Sequence, residues 1–229
     1  LKIIRLFGTV FLLAAVVGFF AAMPLFAQTP PLSGADILAK SQAAYDALTS
    51  YSCHVVASGT GVGTQTFSAT ADIAFVRPGE LSATGTTMAN TPYAFVTNGA
   101  SSSITANGTT APAQSVEAGL ASVTGIGLQA PTLVSALLLH TKWAAMYAPG
   151  QTVSNTITTQ LINGRPCYEV DVLYPIKRAF WVDMQTFLLA QVATRITVGQ
   201  LGTLHFLQTI TNSQINPTIP SSAFNVPGG

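Results

Sequence analysis

Residues 65–79 read Gln-Thr-Phe-Ser-Ala-Thr-Ala-Asp-Ile-Ala-Phe-Val-Arg-Pro-Gly, and this stretch leaves the chain few folds to choose from. Phe67, Ala69, Ala71, Ile73 and Phe75 fall at every second position, with Thr66, Ser68, Thr70, Asp72 and Ala74 between them. A period of two puts the first set on one face of a strand and the second on the other, which predicts a half-buried strand. The strand must stop at Pro78-Gly79, because proline brings no N–H to a ladder and glycine favours the turn. Arg77, the only Lys or Arg between Lys40 and Lys142, is thereby held at a strand-to-turn corner.

The same texture continues on both sides. Gly59, Gly61 and Gly63 mark a hairpin turn before this strand, at a spacing that fits neither a dinucleotide fingerprint nor a phosphate loop. Strands are expected over 81–89, 93–97 and 102–106, with Asn98-Gly99 and Asn107-Gly108 as turn dipeptides. Beyond Pro149-Gly150, strands are expected over 156–162, 166–174, 179–183, 188–198 and 203–213. In 166–174, Tyr168, Val170, Val172 and Tyr174 alternate with Cys167, Glu169, Asp171 and Leu173, giving one apolar and one acidic face. Short strands joined by tight turns predict an antiparallel meander.

Helical spacing appears in a few places. Ser33, with Asp36 three residues on, has the look of a capping box, and Ile37, Leu38, Ser41, Ala44, Tyr45 and Leu48 follow at helical intervals. Residues 115–123 suit a short helix. Pro131 suits the start of a longer one over 132–148, where Leu133, Val134, Leu137, Leu138 and Ala145 form an apolar stripe extended by Trp143, Met146 and Tyr147. His140 lies in this segment without neighbouring ligand residues and reads as structural, as do His54 and His205.

The termini and composition bound the setting. Lys2 and Arg5, the uncharged apolar run 6–22 and the small residue Ala27 before Gln28 form the pattern of a secretory signal peptide, with cleavage expected after Ala27. An uncleaved membrane anchor is the alternative, since the run approaches spanning length. Residues 28–229 then form the one domain. Taking Lys2 and Arg5 from the nine Lys and Arg leaves seven against eight Asp and Glu, so the mature domain is nearly neutral. Such a domain has no basic footprint for nucleic acid and no polybasic membrane patch. Cys53 and Cys167 would meet an oxidising compartment after export, which permits a disulfide. Their alternation patterns suggest opposite strand faces, so a bridge stays an open question.

The segment Asp72-Ile73-Ala74-Phe75-Val76-Arg77-Pro78, preceded by an amphipathic helix and a first hairpin, resembles the corresponding part of LolA-like periplasmic domains. That group includes the lipoprotein carrier LolA, its receptor LolB and the stress sensor RseB. Asn163-Gly164-Arg165-Pro166-Cys167-Tyr168-Glu169-Val170, Phe180-Trp181-Val182-Asp183 and the Ala223-Phe224-Asn225-Val226-Pro227 ending are similar to its second half. The resemblance implies an α+β fold: a strongly curved antiparallel sheet of about ten or eleven strands, an incomplete barrel, with helices over its concave side. It implies for Arg77 a lid-lock role, hydrogen-bonding lid backbone while the cavity is empty.

On that reading the chain is a periplasmic binder or carrier of an apolar ligand, a lipid or the acyl chain of a lipoprotein, held between the concave sheet and the 132–148 helix. The expected lining is Phe67, Ile73, Phe75, Leu133, Leu137, Leu138, Tyr168, Val170, Val172, Trp181 and Phe206. The partners implied are a lipid or an acylated protein, with no nucleic acid and no cofactor. The alternative is a sensory or scaffold domain of the cell envelope acting on another protein, a reading that fits the mostly small residues 79–84. Enzyme chemistry has little to stand on. Neither a Gly-x-Ser-x-Gly elbow nor a His-Glu-x-x-His occurs, and Glu169 and Asp171 share the strand face opposite the apolar row, where solvent is expected.

Overall fold

In a computed structural model of the chain, the described residues are 32–60, 66–141, 152–174, 176–197 and 203–227. The expected leader 1–27 lies outside them, and they belong to the unit Leu32–Gly229.

Strand β1 (Ser50–Thr60) pairs antiparallel with β2 (Thr66–Val76), from Ser50 opposite Val76 to Thr60 opposite Thr66. The alternation predicted for β2 is present, with Ala69, Ala71, Ile73 and Phe75 all buried. The meander continues through β3 (Glu80–Thr86), β4 (Pro92–Asn98), β5 (Ser102–Ala106) and β6 (Thr109–Pro112). Asn107 and Gly108 both take positive φ between β5 and β6, which is the backbone a two-residue hairpin needs. On the other side run β7 (Thr152–Ile162), β8 (Arg165–Tyr174), β9 (Lys177–Asp183), β10 (Leu189–Thr197) and β11 (Thr203–Ile215). All form one antiparallel sheet of 11 strands in the order β6-β5-β4-β3-β2-β1-β11-β10-β9-β8-β7. Its two edges, β6 and β7, do not meet, so the barrel is incomplete.

The same face of the sheet carries α1 (Gly34–Asp46), α2 (Val116–Ile126) and α3 (Thr132–Leu139). Helix α1 packs on β7, β8 and β9, and α2 packs on β4 and β5. Helix α3 touches α1, α2 and β2. One sheet can reach both flanking helices only by curling around them. Gly85 marks a close approach of backbone to backbone: it lies opposite Ala71 and Tyr93, and a side chain there would run into the Thr70 carbonyl, which instead accepts the Tyr93 hydroxyl at 2.8 Å.

Two expectations need correction. The helix expected over 132–148 ends at Leu139, because His140 turns left-handed at φ 52° and donates its N–H to the Ala136 carbonyl. Residues 142–151, including Trp143, Ala145, Met146 and Tyr147, lie outside the described part. Nor is α3 a one-sided lid. Thr132 to Leu138 are all buried, so the helix is a central strut packed on every side.

Candidate apolar binding site

The helix-covered face is filled at one end and open at the other. Along β1 its inward residues are Tyr51, Cys53, Val55, Ala57 and Gly59, which run from a phenol at one end to hydrogen at the other. Opposite them on β2 stand Phe75, Ile73, Ala71, Ala69 and Phe67. The large end is dry core: Tyr51 and Phe75 are fully buried with Tyr45, Leu81 and Leu137, and Tyr45 meets Tyr51 edge-on at 5.9 Å. The small end leaves a cavity of about 320 Å³, within the roughly 300–1,000 Å³ of small-molecule sites. Phe67, Met88, Leu128, Leu204 and Phe206 supply most of its wall, and Gly59, Thr60, Thr124, Gly125 and Gln129 complete the rim.

The α2–α3 connection forms one side of this cavity. Leu128 and Gln129 both hold positive φ, 49° and 65°, a conformation side chains other than glycine's rarely take. The turn is fixed by the Gln129 N–H donating to the Thr124 carbonyl at 2.9 Å, and Thr124 and Thr132 share a hydroxyl hydrogen bond of 2.6 Å. Thr124 and Gln129 also line a second recess of about 90 Å³, with Thr132, Leu133, Arg178, Val192, Thr194 and Gln208.

The sequence-predicted positions divide between these regions. Phe67 and Phe206 line the cavity, and Leu133 lines the recess. Ile73, Phe75, Leu137, Leu138, Val170 and Val172 are buried in the core between sheet and helices. Tyr168 stacks on Phe187, ring centres 6.3 Å apart, at the edge of that core. Trp181 belongs to the other face. It packs with Ile162, Cys167 and Ala190 and donates its indole N–H to Gln160 at 2.9 Å, because Phe180 and Val182 take the inward positions of β9.

Arg77 donates from Nε to the Leu48 carbonyl at 2.9 Å and from Nη2 to the Tyr45 carbonyl at 3.0 Å. Its guanidinium also lies 5.3 Å from the Phe75 ring centre. These partners lie at the C-terminal end of α1, not in the 132–148 segment expected to cover the ligand. The Tyr45 carbonyl also accepts the Leu48 N–H at 3.3 Å, and because the last turn of α1 has no basic residue of its own, the guanidinium complements the negative end of the helix.

Cys53 and Cys167 are both free and buried, which answers the open disulfide question. Cys53 lies in the main core and Cys167 in the small cluster on the opposite face. Burial pushes the Cys53 thiol up to about 12 and also raises that of Cys167, where the nearby Asp183 carboxylate adds to the effect. On the outer face, Glu169 accepts the Thr158 hydroxyl at 2.7 Å and His54 Nδ1 sits 2.7 Å from Asp72.

Missed by the sequence reading are Gly59, Leu204 and Gln208, although the last two share the period-two parity of Phe206. Leu128 and Gln129 carried no periodic signal at all.

An open antiparallel half-barrel around three helices, with an apolar cavity at one end, is the class of architecture this chain defines. No family model matches the sequence, and neither does any curated protein. Among solved structures, the chain is similar to the lipoprotein LppX of Mycobacterium tuberculosis, at 16% identity and TM-score 0.46 over 82% of this chain and 97% of that one. It is similar to LprF from Mycobacterium bovis at 16% identity and TM-score 0.45, covering 82% and 95%. A LolA superfamily protein from Nitrosomonas europaea is similar at 8% identity and TM-score 0.39, covering 85% and 98%.

Proposed function

We propose that this chain is an envelope binding protein or carrier for an apolar ligand, whose hydrocarbon part lies in the cavity between the open ends of β1, β2 and β11 and the α2–α3 connection. The observation that carries this reading is the wall itself: two phenylalanines, two leucines and a methionine surround about 320 Å³. Burying a methylene contributes about 0.8 kcal/mol, so eight of them offer about 6 kcal/mol against the cost of association. Export to the periplasm rests on the leader-like pattern of residues 1–27. A non-enzymatic role fits a lining that has no nucleophile paired with a base.

The test is native mass spectrometry and lipid extraction of the mature protein, followed by titration with an apolar fluorescent probe. Copurifying lipid or saturable probe binding is the expected result; neither appearing would sink the reading. A second reading, a scaffold touching another protein, is favoured by Leu173, Tyr174 and Ile176, which stay exposed near the β8–β9 turn. Recovery of a stable protein partner from a lipid-free preparation would support it instead.

A further inference from the structure

The rim of the inner face reads, strand by strand, as an amphiphile. In register, Arg178 of β9 stands opposite Thr194 of β10, Thr194 opposite Phe206 of β11, Phe206 opposite Gly59 of β1, and Gly59 opposite Phe67 of β2. The row is cationic and polar at one end and aromatic at the other. One step inward, Gln208 lies between Val192 and Ala57. Thr194 and Gln208 are 2% and 3% exposed, so two polar side chains are buried at this end of the face. Among the described strand residues, Arg178 is also the single charged position on that face. His54, Asp72, Glu80, Arg165, Glu169, Asp171, Lys177, Asp183, Arg195 and His205 all have the outward parity.

Arg178 is partly exposed and has contacts within the chain, but Thr194 and Gln208 are costly to bury in an apolar wall unless they meet a polar partner there. They are gathered in the recess that adjoins the apolar cavity and shares Thr124 and Gln129 with it. A guanidinium has five N–H donors in a planar fork, so it keeps contacts within the chain and still offers an edge to an anion. From β9 to β2 is four strand steps of about 4.8 Å, or about 19 Å along the sheet. Half a bilayer's hydrocarbon core, the reach of one acyl chain, is about 15 Å.

We propose that the ligand is an anionic amphiphile, with its carboxylate or phosphate held by Arg178, Thr194 and Gln208 and its hydrocarbon chain running past Phe206 to Phe67. This rests on the apolar-ligand reading above and adds the chemistry of the ligand's polar end.

The experiment is competition against an apolar fluorescent probe on the mature protein, with hexadecanoate, hexadecyl phosphate, methyl hexadecanoate and hexadecanol as competitors. At least one anion displaces the probe at about tenfold lower concentration than the alcohol, as a charge-assisted contact requires. Whichever anion leads identifies the head group as carboxylate or phosphate. In Arg178→Gln the anions fall to the level of the alcohol, and Thr194→Val narrows the gap in a second variant should the first fail to fold. Equal competition by anions and neutral analogues in the natural protein overturns the inference and leaves the apolar site standing. A preference that survives the substitutions overturns it as well. Absence of probe binding removes the parent reading and this one with it.

Discussion

The two ends of the β1–β2 hairpin are built from the same ladder and do opposite things. At the end marked by Tyr51 and Phe75, side chains fill the space between sheet and helices, and Arg77 fastens α1 across it through two carbonyls. At the end marked by Gly59 and Phe67, the inward positions of β1 end in glycine, and a cavity walled partly by Phe67 remains. A strand can therefore grade a molecule from packed core to binding site simply by shrinking its inward residues from tyrosine to glycine. Packing supplies stability at one end, and its omission supplies room at the other.

The contrast is broken most directly by exchanging volume between the ends. Phe75→Ala should cost about 3–5 kcal/mol of unfolding free energy, the usual loss for a fully buried phenylalanine. Its denaturation midpoint should fall while the probe affinity of the folded protein holds. A smaller loss than about 1.5 kcal/mol would mean the packed end is softer than its burial implies.

Arg77→Met comes next. It removes two hydrogen bonds from a charged donor to helix-end carbonyls, worth about 1.5–3 kcal/mol each in such settings, with the gain of apolar stem contact reducing the total to about 2. Hydrogen exchange should quicken in α1 near Tyr45 and stay unchanged in α2. If Arg77 also governs ligand entry, the probe's association rate will change with it. A rate identical to that of the natural protein would confine the residue to anchoring α1.

Gly59→Val acts at the other end. The added carbon would meet the Phe206 ring at 3.1 Å, so the ring must give slightly, and a branched residue suits a strand. Stability should change by less than about 1 kcal/mol, while the new side chain occupies the cavity and weakens the apolar probe about tenfold or more. Unchanged probe binding would place the ligand elsewhere.

Much of this is legible in the sequence alone, and the limit of legibility is itself physical. Period-two alternation showed which face Phe67, Ile73 and Phe75 share, and the Asn107-Gly108 pair marked a hairpin that the backbone makes with positive φ. Ser33 and Asp36 form the full capping box. Parity, however, tells a face and not what fills it: Phe67 and Phe75 obey one rule, yet one lines a cavity and the other is core. That distinction comes from neighbours distant in sequence, such as Leu128, held by a turn with no periodic signature. Trp181 was misplaced for a simpler reason. It was expected in the lining, but Phe180 and Val182 occupy the inward positions of β9. Arg178 fell just outside the strand expected to begin at residue 179, so its inward parity went unread.

The smallest effect lies at the far end of α1, where solvent takes part. Ser33 donates its hydroxyl and its N–H to the Asp36 carboxylate, at 2.6 and 3.1 Å, and these bonds hold the Asp36 carboxyl below its ordinary range, with Lys40 adding slightly. A carboxyl depressed in the folded state contributes stability that is present above its unfolded value near 3.9 and lost as pH falls through the folded value. Acidification below about pH 4 should therefore loosen the start of α1 before it disturbs the end tied by Arg77, whose carbonyl acceptors do not titrate. Asp36→Asn should flatten this part of the acid response and leave stability at neutral pH only slightly lower. The comparison is made by following amide exchange at both ends of α1 between pH 3 and 6. If the two ends loosen together in the natural protein, the helix opens as one unit and Arg77 does not hold its end independently.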